Sequence, residues 1–232
     1  EWEYEDPEEV RLRGFNPRDY DIERRGGDIR LDLKPMDEGS LTLSAGHTRS
    51  DNLEMTTLGT ALAKGWTYNY LQGRFRYRDL FAQVYINRSN SGDTELLRSG
   101  QPVVDRSTLT VAQLQHAISM GNGRQRFTYG SDVLLTGPET GGTISGAYED
   151  QDGIEVAGIY VQSETVLGPN ADLVLAGRWD THNHLPDPVL SPRAALVFKS
   201  PDQTLRLTYN RSFGTPSSTN LFLDIVSSQD PF

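Results

Sequence analysis

Two histidines stand close together, His182 and His184, with Asp180 and Asp187 on either side. On an extended segment, residues i and i+2 point the same way, so the two imidazoles could share one metal ion. The same Asp180, His182 and His184 could also serve as acid and base at the rim of a barrel protease. That chemistry requires hydrogen-bond reach to substrate and a positioned water. The plainer alternative is a polar loop with solvated imidazoles. A second cluster, Glu149, Asp150 and Asp152, lies beside Gln151 and Gly153. Hard oxygen donors at this density suit Ca²⁺, although the spacing does not fit an EF-hand loop. Here the alternative is a hydrated acidic loop tip. Asp51 with Glu54, and Asp93 with Glu95, are thinner versions of the same pattern. Gly121-Asn122-Gly123 and Gly141-Gly142 follow no strand-to-helix pattern, so they read as turns that tolerate positive φ, not as phosphate loops.

The elements that must hold these groups are constrained by composition. The chain has 232 residues, 22 Lys+Arg against 32 Asp+Glu, a net charge of −10 and no cysteine. An acidic balance without a basic stripe argues against a nucleic-acid partner. Without cysteine there is neither a disulfide framework nor a thiolate metal site. Mean hydropathy is −0.54, and no apolar run reaches the ~18 residues of a membrane helix. Low hydropathy does not exclude a membrane barrel, whose strands alternate lipid-facing and lumen-facing residues. The opening EWEYEDPEEV has neither a basic n-region nor an apolar h-region, so an exported chain is expected to be a mature form or a section of one.

Residues 1–27 are charged and turn-rich and are expected to form an irregular lead-in, with the barrel section over 28–232. From Asp28 the period becomes two. Ile29, Leu31 and Leu33 alternate with Asp28, Arg30, Asp32 and Lys34, the pattern of a half-buried strand. Leu71, Gly73, Phe75 and Tyr77 repeat it, as do Leu173, Leu175, Gly177 and Trp179. Arg74, Arg76, Glu164, Arg178 and Arg206 fall on the opposite, polar face. The pattern predicts about ten strands, at 28–34, 40–49, 66–77, 80–89, 111–120, 125–135, 154–167, 172–181, 192–200 and 204–213. Several exceed the five or six residues usual in globular sheets and match the ~9–11 of tilted membrane strands. Short turns alternate with long polar stretches at 50–65, 90–110, 136–153 and 182–191, as in an up-and-down outer-membrane barrel. Trp66, Tyr68, Tyr70, Tyr77, Phe81, Phe198, Tyr209 and Phe213 are expected to form interfacial girdles, or else to be ordinary strand aromatics. Pro192 in Ser191-Pro192-Arg193 suits the first residue of a strand.

Four strings in order, GIYVQSET (158–165), LVLAGRWDTH (173–182), SPRAALVF (191–198) and LRLTYNRSFGTPS (205–217), resemble the mid-barrel of TonB-dependent outer-membrane receptors. The likeness is strongest over 153–217 and extends more loosely back through 143–152 and 71–75. It implies an all-β, antiparallel transmembrane barrel of about 22 strands with a plugged lumen. About ten of those strands would lie in this chain. The resemblance also implies an outer-membrane location in a Gram-negative bacterium and a plug domain of ~150 residues upstream, with further strands downstream. Its partners would be lipid, the plug, the remaining strands and the TonB complex.

The expected function is active import of a scarce nutrient: an iron chelate, a corrinoid or an oligosaccharide. The inward charges are expected to meet the plug, and the outer loops the substrate. No catalytic residue and no cofactor is assigned beyond Ca²⁺ at the acidic loop. The rival readings are a passive porin, a rim-site protease and a soluble surface-binding module.

Overall fold

Period-two sequence becomes an uninterrupted antiparallel sheet in the computed structural model, which describes residues 7–12, 21–56 and 59–225. A short helix α1 (Pro7–Leu12) comes first. Then follow β1 (Glu23–Leu33), β2 (Gly39–Thr56), β3 (Gly59–Tyr77), β4 (Leu80–Asn90), β5 (Glu95–Leu96) and β6 (Thr108–Met120). They continue as β7 (Gln125–Gly137), β8 (Ile154–Gly168), β9 (Ala171–His182), β10 (Val189–Lys199), β11 (Thr204–Asn210) and α2 (Ser218–Phe222). Spatial order equals chain order from β1 to β11, except that the two-residue β5 pairs on β3. This is the up-and-down topology the sequence predicts.

Register sorts the side chains onto two faces. One ladder row reads Leu31, Leu43, Gly73, Val84, Ala112, Val133 and Ala157. The row one residue away reads Asp32, Thr42, Arg74, Gln83, Gln113, Asp132, Gly158 and Asp180. A slip of one residue in any strand would exchange the two sets, so the pattern itself pins the register. The apolar face is bare: Ile159 is 63% and Leu71 58% exposed. A sheet in water would have to cover such a face with a second layer; in a bilayer, lipid covers it.

Apolar burial is concentrated elsewhere, at the end where the long connections lie. Ala61, Leu62, Ala63, Leu97 and Val103 are all buried there. The opposite end carries tight turns, with Glu38, Arg78 and Asn122 in the left-handed region. Arg78 is held there by its own backbone N–H to Glu38 O (3.2 Å) and by an ion pair with the Glu38 carboxylate (2.5 Å).

Several boundaries differ from the sequence reading. β1 starts at Glu23, not Asp28, because its polar Glu-Arg-Arg-Gly-Gly opening pairs with β2 from Glu23↔Asp51 onward. Residues 50–65 are not an irregular loop. Residues 50–56 and 59–65 continue the pairing of β2 and β3 with a bulge between Ser50 and Asn52, and the bulge breaks the alternation. β10 begins at Val189, which shortens the connection after β9, and β11 ends at Asn210. The aromatic girdle is only partly realised. Tyr77, Phe198 and Tyr209 share the apolar face, but Trp66, Tyr68 and Tyr70 have the parity of Gln72 and Arg74 and face the polar side. Phe81, opposite Arg76, also faces that side.

Candidate ligand-facing surface at the long-loop end

The polar face is cross-linked along its ladder row. Thr42 donates to Asp32 (2.7 Å), Arg74 to Gln83 (3.0 Å), and Gln83 to Gln113 (3.3 Å). Farther along, the Arg178 guanidinium bridges two carboxylates. Nη1 and Nη2 donate to Asp132 at 2.6 and 2.7 Å, and Nε donates to Asp180 at 2.8 Å. Asp180 is 2% exposed, and its ion pair with Arg178 offsets part of the cost of burying it. Gly158 lies between the two acids in the ladder, and a Cβ there would collide with Arg178 Nη2. The neighbouring row uses the same device. The Tyr160 ring lies over Gly130 and its hydroxyl donates to Gln115 (2.9 Å).

Above these rows, the connection between β7 and β8 folds around its acidic residues. Glu149 accepts the backbone N–H of Thr140 (2.5 Å), Gly141 (2.7 Å) and Gly142 (3.1 Å), and also the Thr140 hydroxyl. Burial alone would raise its pKa, but these donors outweigh burial and hold it below the ordinary carboxylate value. Asp152 is buried, and burial, only partly countered by the Ser145 hydroxyl, pushes its pKa up. Asp150 remains exposed at the tip.

The β9–β10 connection is stitched to the same loop. Asn183 receives Glu155 N–H (3.0 Å) and donates to Gly153 O (2.8 Å). His184 Nε2 lies 2.7 Å from Gly153 O and therefore carries the proton there. His182 Nδ1 accepts His184 N–H (3.0 Å), and the buried Nε2 of His182 has no partner among the described residues. The segment after β11 closes over both connections. Ser218 Oγ donates to Asp152 O (2.9 Å), Asp224 accepts Ala147 N–H (3.0 Å), and Phe222 packs edge-on against His184 (4.8 Å). Gly146, at φ +50°, makes room for Asp224, whose Oδ2 would lie 2.5 Å from any Cβ there.

The predicted site residues are therefore brought into one assembly, and most of their donor atoms are engaged within it. Among the described residues, no group of three or more His, Asp or Glu is arranged to hold a metal ion. Asp180 pairs with Arg178, so the triangle Asp180, His182, His184 is split between an ion pair and a loop contact. Sequence reading missed Thr140, Ser145, Ser218 and Asp224, which carry no motif. It also missed Asp132, whose even parity in β7 already placed it on the polar face.

A different surface lies over β2–β4. Trp66 and Tyr68 stack with ring centroids 6.2 Å apart and planes 23° from parallel, and Trp66 Nε1 donates to Ser89 Oγ (3.0 Å). Beside them is a concavity of about 360 Å³ lined by Tyr68, Tyr70, Gln72, Tyr85 and Asn87. The Tyr70 ring occupies the space that a Cβ on Gly46 would need.

The family described as TonB dependent receptor-like, beta-barrel, matches residues 1–231. No curated protein matches the chain. A match over almost the whole length joins an unbroken antiparallel sheet with a bare apolar face and a cross-linked polar one. The chain belongs to the TonB-dependent receptor family, as a section of its β-barrel wall.

Proposed function

We propose that this wall section serves an outer-membrane receptor of a Gram-negative bacterium that captures a scarce nutrient and imports it with energy delivered through TonB. The observation that carries the reading is the family match laid on a two-faced sheet, tight turns at one end and interlocked loops at the other. In this reading the tight turns lie in the periplasm and the loops outside, the usual polarity of such barrels. The apolar face meets lipid, and further strands complete the barrel. Arg74, Arg76, Arg206 and Glu164 face a plug that fills most of the lumen. Substrate is held at the loop end, where Arg178, Asp132 and Asp180 fix the wall beneath the loops. The class of nutrient is an iron chelate, a corrinoid or an oligosaccharide.

The test is uptake by cells that carry or lack the receptor, with TonB present or deleted, alongside conductance of the purified protein in planar bilayers. Receptor-dependent, TonB-dependent uptake with a closed channel is expected. An open channel in the intact protein, or uptake that persists without TonB, would replace the reading with a passive porin.

A further inference from the structure

The concavity on β2–β4 differs chemically from the rest of the polar face. The ladder below it is charged and internally paired, through Arg74, Asp132, Arg178 and Asp180. The concavity is lined by rings, amides and the Thr48 hydroxyl, with no Lys, Arg, Asp or Glu among its walls. Arg74 lies two residues beyond Gln72 on the same face, roughly 7 Å at strand rise, but its guanidinium is bonded to Gln83 and is not part of the lining. Tyr68 is 49% and Tyr70 41% exposed on the polar face. Among the described residues, the side-chain polar atoms of Tyr70, Gln72, Tyr85 and Asn87 have no hydrogen-bond partner. Gln83, on the neighbouring charged row, is by contrast bonded on both sides.

We infer that this concavity is a saccharide subsite, in which the Tyr68 and Tyr70 rings take the C–H face of a neutral sugar while Gln72, Tyr85 and Asn87 read its hydroxyls. Each hydroxyl of a sugar both donates and accepts, and so do amides and phenols, whereas a carboxylate or a guanidinium does only one. The faces of the sugar ring present C–H groups, which pack on an aromatic quadrupole without needing a charge. An anionic chelate would instead call for the Arg and Lys groups that this surface lacks. The platform is also held in place before any ligand arrives. Trp66 is fixed by Ser89 and stacked on Tyr68, and Tyr70 is seated over Gly46. A pocket with aromatic walls and a few convergent polar groups is the general form of a small-molecule site. The inference rests on the receptor reading and selects one of its nutrient classes.

The experiment uses the intact receptor in detergent, titrated by calorimetry and by Trp66 fluorescence. The probes are neutral malto-, xylo- and chito-oligosaccharides, with a ferric hydroxamate, a ferric catecholate and cobalamin as comparisons. Saturable binding of one oligosaccharide series is expected. It falls at least tenfold in Tyr68→Ala and Tyr70→Ala, stays within about threefold in Tyr70→Phe, and loses its fluorescence signature in Trp66→Phe. Gln72→Leu, which keeps the volume of the site, is expected to weaken binding while leaving the melting temperature unchanged. If a chelate or cobalamin binds and none of the sugars does, the saccharide assignment is overturned and the receptor reading stands. The assignment also fails if sugars bind but these variants leave their affinity unchanged. If uptake in cells is independent of TonB for every probe, the receptor reading itself falls.

Discussion

Two loop assemblies cover the same end of the sheet, and they are closed by different forces. Over β2–β4, the paired ends of β2 and β3 and residues 91–107 bury Ala61, Leu62, Ala63, Leu97 and Val103. Over β7–β10, residues 138–153, 183–188 and 211–225 meet around Glu149, Asp152 and Asp224. The first assembly is closed mainly by a small hydrophobic core. The second is built around carboxylates that accept from loop amides and hydroxyls, so it responds to the ionisation of Glu149 and Asp152. The same loop end thus has a part held mainly by apolar burial and a part held by carboxylates whose pKa values are shifted.

The largest expected effect breaks the apolar assembly. Leu62→Ala removes a side chain that is 4% exposed and is expected to cost about 2–4 kcal/mol locally. Hydrogen exchange should then rise across 59–64 and 91–107 while 138–153 keeps its protection. Equal loss in both regions would mean that the two assemblies form one cooperative unit.

Next comes Glu149→Gln, which removes the charge from the acceptor for the Thr140, Gly141 and Gly142 amides. About 2 kcal/mol is expected, the range for hydrogen bonds to a charged group. Exchange or limited proteolysis should show loosening at 138–153 and not at 91–107.

Acid should separate the assemblies in two steps of opposite sign. The pKa of Asp152 is raised in the fold, so its ionised form costs stability at neutral pH, and that cost disappears as pH falls through the raised value. The pKa of Glu149 is lowered in the fold. Its contribution is complete above the unfolded carboxylate pKa and is lost as pH falls through the depressed value. On acidification, exchange at 138–153 is expected first to hold or slow slightly, then to accelerate, with 91–107 flat throughout. Asp152→Asn should remove the first phase and leave the second. A single phase in Asp152→Asn and parent alike would show that Asp152 does not set the early step.

The smallest effect is expected at the ion pair that joins the two assemblies. Arg106 and Glu139 lie 3.6 Å apart with side chains 61% and 64% exposed, so Arg106→Ala should change the melting temperature by an amount close to the noise. A clear drop would show that the assemblies are coupled through this pair. The backbone bond from Arg106 N–H to Glu139 O (2.9 Å) survives the substitution and is the stronger link.

Legibility followed the two-residue period closely. Where alternation was clean, as in β4, β8 and β9, the face of every residue was readable, including the inward direction of Arg178. It failed where backbone pairing ran on without a hydrophobic signal. The opening of β1 is an example, because Glu23, Arg24 and Arg25 reveal nothing of their pairing with residues 49–51 of β2. At Trp66, Tyr68 and Tyr70, residue type pointed to the lipid interface and parity to the lumen. Parity prevailed, since a strand has only two faces and Gln72 and Arg74 had already claimed one. The acidic loop was legible as a cluster but not in its use. The Gly141-Gly142 pair announces a turn, but nothing in the residue types shows that its amides converge on the Glu149 carboxylate seven to nine residues later.

The ladder has one more implication, for how such a wall is made. Among the described residues, each long strand pairs with the long strands before and after it in the chain, and only the two-residue β5 departs from this by pairing with β3. Closing any one hairpin never requires a distant segment to arrive first, so loop-closure entropy stays low at every step. A wall with this wiring can be laid down one hairpin at a time, in the order in which the chain is delivered.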